Sequence, residues 1–150
     1  MIMIKFHEVK EEMKKIPGET VLPVRATPGS AAYDFYAKAN YDVEPGAIVK
    51  IWTDVKAEMD KDVVLLINIR SSMGGIWELT NEQGWIDSDY FENPKNDGNM
   101  GVFLKNVSET YQYIKKGERI AQGMFVHYLL TADDKPLSDK RVGGFGSSGK

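Results

Sequence analysis

The chain reads as a series of short apolar runs divided by turn residues. IMIKF (2–6), TVLPV (20–24), AIVKIWTDVKAEM (47–59), VVLLINI (63–69), IWEL (76–79), MGVFLKN (100–106), TYQYI (110–114) and RIAQGMFVHYLL (119–130) are rich in Val, Ile, Tyr, Phe and Trp. These side chains suit a pleated, half-buried surface, and Glu44-Pro45-Gly46 and Lys116-Gly117 punctuate the runs as turns do. Within 47–59, Ile48, Lys50, Trp52, Asp54 and Lys56 fail to alternate cleanly with their neighbours, which predicts a bulge or a crossing between sheets. EVKEEMKK (8–15) is the one helix candidate of note, polar and ended by Pro17, with room for one or two turns. Eight or more short strands in one domain predict an all-β jelly-roll or β-barrel.

Bulk properties narrow the function. A length of 150 residues fits one domain. The net charge of −3 argues against stable nucleic-acid binding by bulk electrostatics, yet allows a small anion met by a few local cations. The absence of cysteine excludes disulfides, thiolate metal sites and cysteine nucleophiles. No signal-like arrangement begins the chain, and VVLLINI is too short to span a bilayer. The expectation is a soluble cytoplasmic protein that does not engage membranes.

Candidate chemistry lies in four places. RVGGFGSSGK (141–150) contains G-x-x-x-x-G-K from Gly144 to Lys150, but no Ser/Thr and helix follow, so it is not a phosphate-binding loop. Its composition predicts an arm that is loose without ligand. Phe145 suits stacking on a base, Gly146 N–H and the Ser147 and Ser148 hydroxyls suit phosphate, and Arg141 supplies charge. In an extended GWIDSDY (84–90), Asp87 and Asp89 share one face, suited to activating water or meeting a cation. A calcium loop there fails on spacing, since Phe91 and Glu92 stand where a ligand and a glycine are needed. NIRSSMGG (68–75) offers a cation, two hydroxyls and two glycines after the most apolar strand, and KGERIAQG (116–123) puts Arg119 and Gln122 in an otherwise apolar strand. Each segment alone reads equally as an ordinary turn or strand end. With only His7 and His127, and no H-E-x-x-H pair, a protein-held transition metal or a Ser–His–Asp triad is not expected.

TPGSAAYDFYA (27–37), RSSMGG (70–75), N-x-x-GWIDSDY (81–90), GERIAQ (117–122) and RVGGFGSSG (141–149) occur in an order and spacing that resemble the five motifs of the homotrimeric dUTPases, over nearly the whole chain. The resemblance implies a jelly-roll-like β-barrel subunit of residues 1–140 and a flexible C-terminal arm, 141–150. It also implies a homotrimer whose sites are shared among chains, with the arm of one subunit closing over a site formed by two others. It implies hydrolysis of dUTP to dUMP and pyrophosphate with Mg2+ held by the triphosphate and water, not directly by the protein. In that reading Asp87 activates the water and Asp34 organises the water and metal region. Tyr90 lies beneath the deoxyribose, and Asn81 lines the uracil pocket. Arg70, Ser71, Ser72 and Gln122 bind phosphate, with Ser71 at the bridging oxygen. Phe145 stacks on uracil, while Arg141, Gly146, Ser147 and Ser148 cover the outer phosphates. The chain departs from the family pattern in FENPKND (91–97), which intervenes before the next strand and either reshapes the rim near the sugar or bulges into solvent. It departs also in Arg141, four residues before Phe145 with Lys140 at five, and in Ala32 where the first motif often has Gly. A dCTP deaminase fits less well, because Met73-Gly74 follows the paired serines. A regulatory protein-binding role for a dUTPase-like trimer is the reading from a different class.

Overall fold

The computed structural model describes residues 3–144. Twelve strands account for the regular structure: β1 (Lys5–Glu8), β2 (Val24–Arg25), β3 (Tyr33–Tyr36), β4 (Tyr41–Val43), β5 (Ile48–Trp52), β6 (Val55–Glu58), β7 (Val63–Asn68), β8 (Trp77–Leu79), β9 (Gly84–Ile86), β10 (Gly101–Asn106), β11 (Gln112–Ile114) and β12 (Arg119–His127). They pair antiparallel throughout, in a five-stranded sheet of order β2-β3-β12-β7-β9, a three-stranded sheet β5-β10-β8, and the pairs β1-β6 and β11-β4. The result is an all-β, jelly-roll-like barrel. The inward faces enclose a core that includes Phe35, Ile51, Leu65, Met100, Leu104 and Ile120, each at most 1 % exposed. No helix among the described residues is long and apolar enough to cross a membrane.

Local chemistry explains where the strands differ from the apolar runs. The run 20–24 forms a strand only at its end, because Pro23 lacks the N–H a ladder requires. YDFY and YDV, polar at alternate positions, form β3 and β4 although they are not among the long apolar runs. The segment 8–15 contains a single 3-10 turn, Glu11–Met13, since extended Lys10 and Lys14 bound it on both sides. In 47–59 the chain changes sheets: β5 pairs with β10, and β6 pairs with β1. Asp54 makes the corner in the left-handed region at φ 57°, a conformation Asp tolerates better than most residues.

A buried polar knot fixes that corner. The Asp54 carboxylate accepts from the N–H groups of Lys15 and Ile16, from Lys38 Nζ at 2.9 Å and from Asn99 Nδ2 at 2.8 Å. The Asp54 N–H donates in turn to Asn99 Oδ1 at 2.9 Å. Burial acts to push the Asp54 carboxyl up, but these donors outweigh it and hold the group below the usual carboxylate range. The segment 91–97 folds back onto this frame through Asn93 and Asp97, while Glu92, Pro94 and Lys95 face solvent. Asn93, Asp97 and Asn99 are buried, and Asp97 accepts from Lys56 Nζ at 2.9 Å and from the Lys10 N–H at 2.8 Å. Gly98, at φ +86°, closes the turn where a Cβ would sit about 3.0 Å from Tyr90 O and Glu92 N.

Candidate active site

The connection from β8 to β9 is tight. Glu82, in the left-handed region at φ 64°, returns the chain through bonds from Glu82 N–H to Leu79 O (3.0 Å) and from Gln83 N–H to Asn81 O (2.6 Å). Gln83 Nε2 donates to Asn68 Oδ1 on β7 at 2.8 Å, which ties this turn to the five-stranded sheet. After β9 the chain does not stay extended. Ser88–Tyr90 forms a 3-10 turn, closed by Tyr90 N–H to Asp87 O at 3.1 Å. Asp87 and Asp89 therefore do not share the face of a strand. They converge instead on one cation: Arg141 Nη2 lies 2.6 Å from Asp87 Oδ2, and Arg141 Nε lies 2.6 Å from Asp89 Oδ1.

These elements enclose a cavity of about 440 Å3, with Ile67, Leu79 and Phe103 as apolar lining and Asn81, Asp87 and Arg141 as polar groups. Its size suits a nucleotide-sized molecule. Tyr90 also lines it and is 5 % exposed. Its hydroxyl donates to Asn99 O at 2.6 Å and accepts from Asn96 Nδ2 at 2.7 Å. Burial raises the Tyr90 hydroxyl above the ordinary phenol range, against opposing effects of the Asn96 bond and the Arg141 charge. Gly144 lies against the Tyr90 ring so closely that any Cβ there would overlap it. The Asp87 side chain remains about half exposed, open to water.

A second cleft, of about 490 Å3, gathers the other candidates. Asn68, Gln122 and Asp34 are cross-strand neighbours on β7, β12 and β3. Arg70 and Ser71, in the turn after β7, complete the lining with Gln122 and Asp34. Arg70 Nε lies 3.3 Å from Asp34 Oδ1, and Arg119 Nη1 lies 3.5 Å from Asp34 Oδ2. Two guanidinium groups on one nearly buried carboxylate leave further N–H donors for an anion. Ser72 faces a neighbouring cleft that it shares with Arg70 and Arg119.

The single chain thus brings Asn81, Asp87, Tyr90 and Arg141 together, and separately Asp34, Arg70, Ser71 and Gln122. Alternation along β7 divides them: Ile67 lines the first cavity, while Leu66 and Asn68 line the second. Phe145, Gly146, Ser147 and Ser148 lie outside the described residues. Residues 141–144 rest on their own chain's Asp87, Asp89 and Tyr90. Two exposed carboxylates placed for one guanidinium account for this local contact. Arg119, noted from the sequence as a polar residue in the apolar run 119–130 but given no role, pairs with Asp34. Gln83 and Asn68 fall within the segments 81–90 and 68–75 but were given no role there, and their contact emerges only from the pairing of β7 with β9.

Comparison with known proteins identifies the family and agrees with the fold. The family profile for dUTPase matches residues 19–149. The chain is 39 % identical over 132 residues to the deoxyuridine 5'-triphosphate nucleotidohydrolase of Lactococcus lactis, covering 85 % of this chain and 87 % of that one. It is 32 % identical over 142 residues to the same-named protein of fowlpox virus, covering 90 % and 94 % respectively. The crystal structure of dUTPase from Streptococcus mutans superposes with a TM-score of 0.74 at 35 % identity, covering 84 % of this chain and 97 % of that chain.

Proposed function

The chain belongs to the dUTPase family, and from that premise we propose that it hydrolyses dUTP to dUMP and pyrophosphate through a water activated by Asp87. The observation that carries the reading is the convergence of Asn81, Asp87 and Tyr90 on one cavity of nucleotide size, with Asp87 open to water. Asn81 and the backbone of the 81–86 segment meet the uracil edge, where an amide and fixed N–H and C=O groups discriminate by hydrogen-bond pattern. Tyr90 supports the deoxyribose and leaves no room for a 2′-hydroxyl. Asp87 orients the water and takes its proton as the oxygen attacks the α-phosphorus. The bond to the bridging oxygen breaks, and pyrophosphate departs against the donors of Ser71, Arg70, Ser72 and Gln122. Residues 141–150 act as an arm on the 1–140 domain. Phe145 covers the base, and Arg141, Gly146, Ser147 and Ser148 cover the outer phosphates and exclude water.

Mg2+ fits this arrangement when carried by the triphosphate. Among the described residues no three acidic or His side chains gather into a metal cage, and Asp34 and Asp87 both face guanidinium groups. Mg2+ carried by the phosphates and water would supply charge neutralisation at the leaving group, with Arg70, Ser71, Ser72 and Gln122 holding the phosphates that carry it.

The division of the site supports a homotrimer. One triphosphate cannot touch both faces of the same sheet, so the cleft with Arg70 and the cavity with Asp87 serve a single substrate only when different copies are apposed. The test of the function is pyrophosphate release from dUTP with Mg2+, alongside dCTP, dTTP and UTP. Release from dUTP alone is expected. Release of inorganic phosphate, or equal rates with UTP, would overturn the reading.

A further inference from the structure

Residues 91–97 interrupt the usual passage from the Asp-Tyr segment to the next strand, and the structure gives them, with Asn99 just beyond, a specific attachment to Tyr90. We propose that Asn96 is a positioning residue for discrimination between deoxyribose and ribose, because it holds the Tyr90 ring from the inserted segment. The inference rests on the reading of Tyr90 as the surface beneath the sugar.

Three observations converge. Asn96 Nδ2 donates to the Tyr90 hydroxyl at 2.7 Å, while that hydroxyl donates to Asn99 O at 2.6 Å. The far end of the ring therefore has a donor from the insertion and an acceptor just beyond it, which fix its tilt as well as its depth. Asn96 is itself braced. Its Oδ1 accepts from Asn93 Nδ2 at 2.7 Å and from the Gly98 N–H at 3.1 Å. The same Asn93 Nδ2 also donates to Tyr90 O at 2.8 Å, so the segment grips the backbone and the side-chain tip of one residue. Finally, the brace is anchored in the protein interior. Asp97 is bound to Lys56 and to the Lys10 N–H, and Asn99 exchanges two bonds with Asp54.

The physical consequence concerns selectivity more than folding. Exclusion of a 2′-hydroxyl requires that the ring cannot yield by a few tenths of an ångström. Packing holds a ring in its plane but permits it to tilt, whereas two hydrogen bonds at the hydroxyl restrict the tilt. Loss of the Asn96 bond should let the ring give way and admit UTP more readily.

Asn96→Asp separates this role from the folding of the loop. A carboxylate keeps the acceptor used by Asn93 and Gly98 but cannot donate to the Tyr90 hydroxyl, whose one O–H must then serve either that carboxylate or Asn99 O, so one of its two bonds is lost. Tyr90→Phe removes the hydroxyl and keeps the ring. We expect each variant to lower the ratio of kcat/KM for dUTP to that for UTP by about 3- to 10-fold, the range of one ordinary hydrogen bond. The double variant should match Tyr90→Phe, since removal of the hydroxyl abolishes the Asn96 contact together with the bond to Asn99 O. Thermal unfolding of each variant accompanies the kinetics. If Asn96→Asp does not fold, Asn96→Ala takes its place beside Tyr90→Phe. An unchanged ratio in Tyr90→Phe or in folded Asn96→Asp, or additive losses, would overturn the inference while leaving the hydrolytic function intact. A wild-type protein inactive on dUTP would instead overturn the functional reading beneath it.

Discussion

Arg141 Nη2 stands 2.6 Å from Oδ2 of Asp87, so the candidate base is held by the first residue of the arm. Nε of the same guanidinium meets Asp89, which makes a two-carboxylate clamp. Both carboxylates are more than half exposed, so the clamp should be sensitive to salt. Raising ionic strength from about 0.1 M to about 1 M shortens the screening length from about 10 Å to about 3 Å. Amide hydrogen exchange at residues 142–144 should quicken over that range in the wild type. Arg141→Gln, lacking the clamp, should exchange fast at low salt and change little with added salt.

Asp87 itself offers the most direct test of chemistry. Asp87→Asn keeps the shape of the side chain and removes its capacity to take a proton. Turnover of dUTP should fall by about 10²-fold or more, as for loss of a general base. Affinity for a non-hydrolysable dUTP analogue, measured by calorimetry, should stay within a few-fold of the wild type.

The strands were legible where apolar residues run together, as in β7, β10 and β12, because burial of such runs is their own driving force. β3 and β4 escaped that signal, since YDFY and YDV alternate with polar positions that serve the site and the surface. The site candidates were legible as motifs, but their division was not. Alternation alone puts Ile67 and Asn68 on opposite faces of a strand, but that each face borders a separate cleft depends on the pairing of β7 with β9 and β12. The role of 91–99 was hidden for another reason. An Asn- and Asp-rich stretch reads as a solvated loop unless Lys56, Asp54 and Lys10, distant in sequence, are seen to meet it.

The knot around Asp54 predicts an acid limit to stability. Its carboxyl lies below the usual range in the folded protein, so its contribution is present above the unfolded value, about pH 3.9 for aspartate. That contribution is lost as pH falls through the lower folded value. Asp54→Asn tolerates the left-handed backbone but leaves Lys38 buried without its countercharge. At neutral pH urea unfolding should reveal a loss of about 3–5 kcal/mol, as for breaking a buried pair. The difference between variant and wild type should shrink as the pH is lowered below about 4.

Sharing of sites between copies can be tested without seeing the assembly. Asp87→Asn damages the first cavity, and Arg70→Ala damages the phosphate cleft on the opposite face of the sheet. Each variant alone should be nearly inactive. In an equal mixture refolded together, a site that takes its Asp87 half from one copy and its Arg70 half from another is intact with probability of about one half times one half, or about one site in four. The mixture should therefore recover about a quarter of wild-type turnover, measured as pyrophosphate release per chain. If both halves came from the same chain, every chain would carry one defect, and mixing would recover nothing. Recovery near a quarter, together with a light-scattering mass of about three chains, would mean that the separation of the two clefts in one chain is the reason this protein must assemble to act.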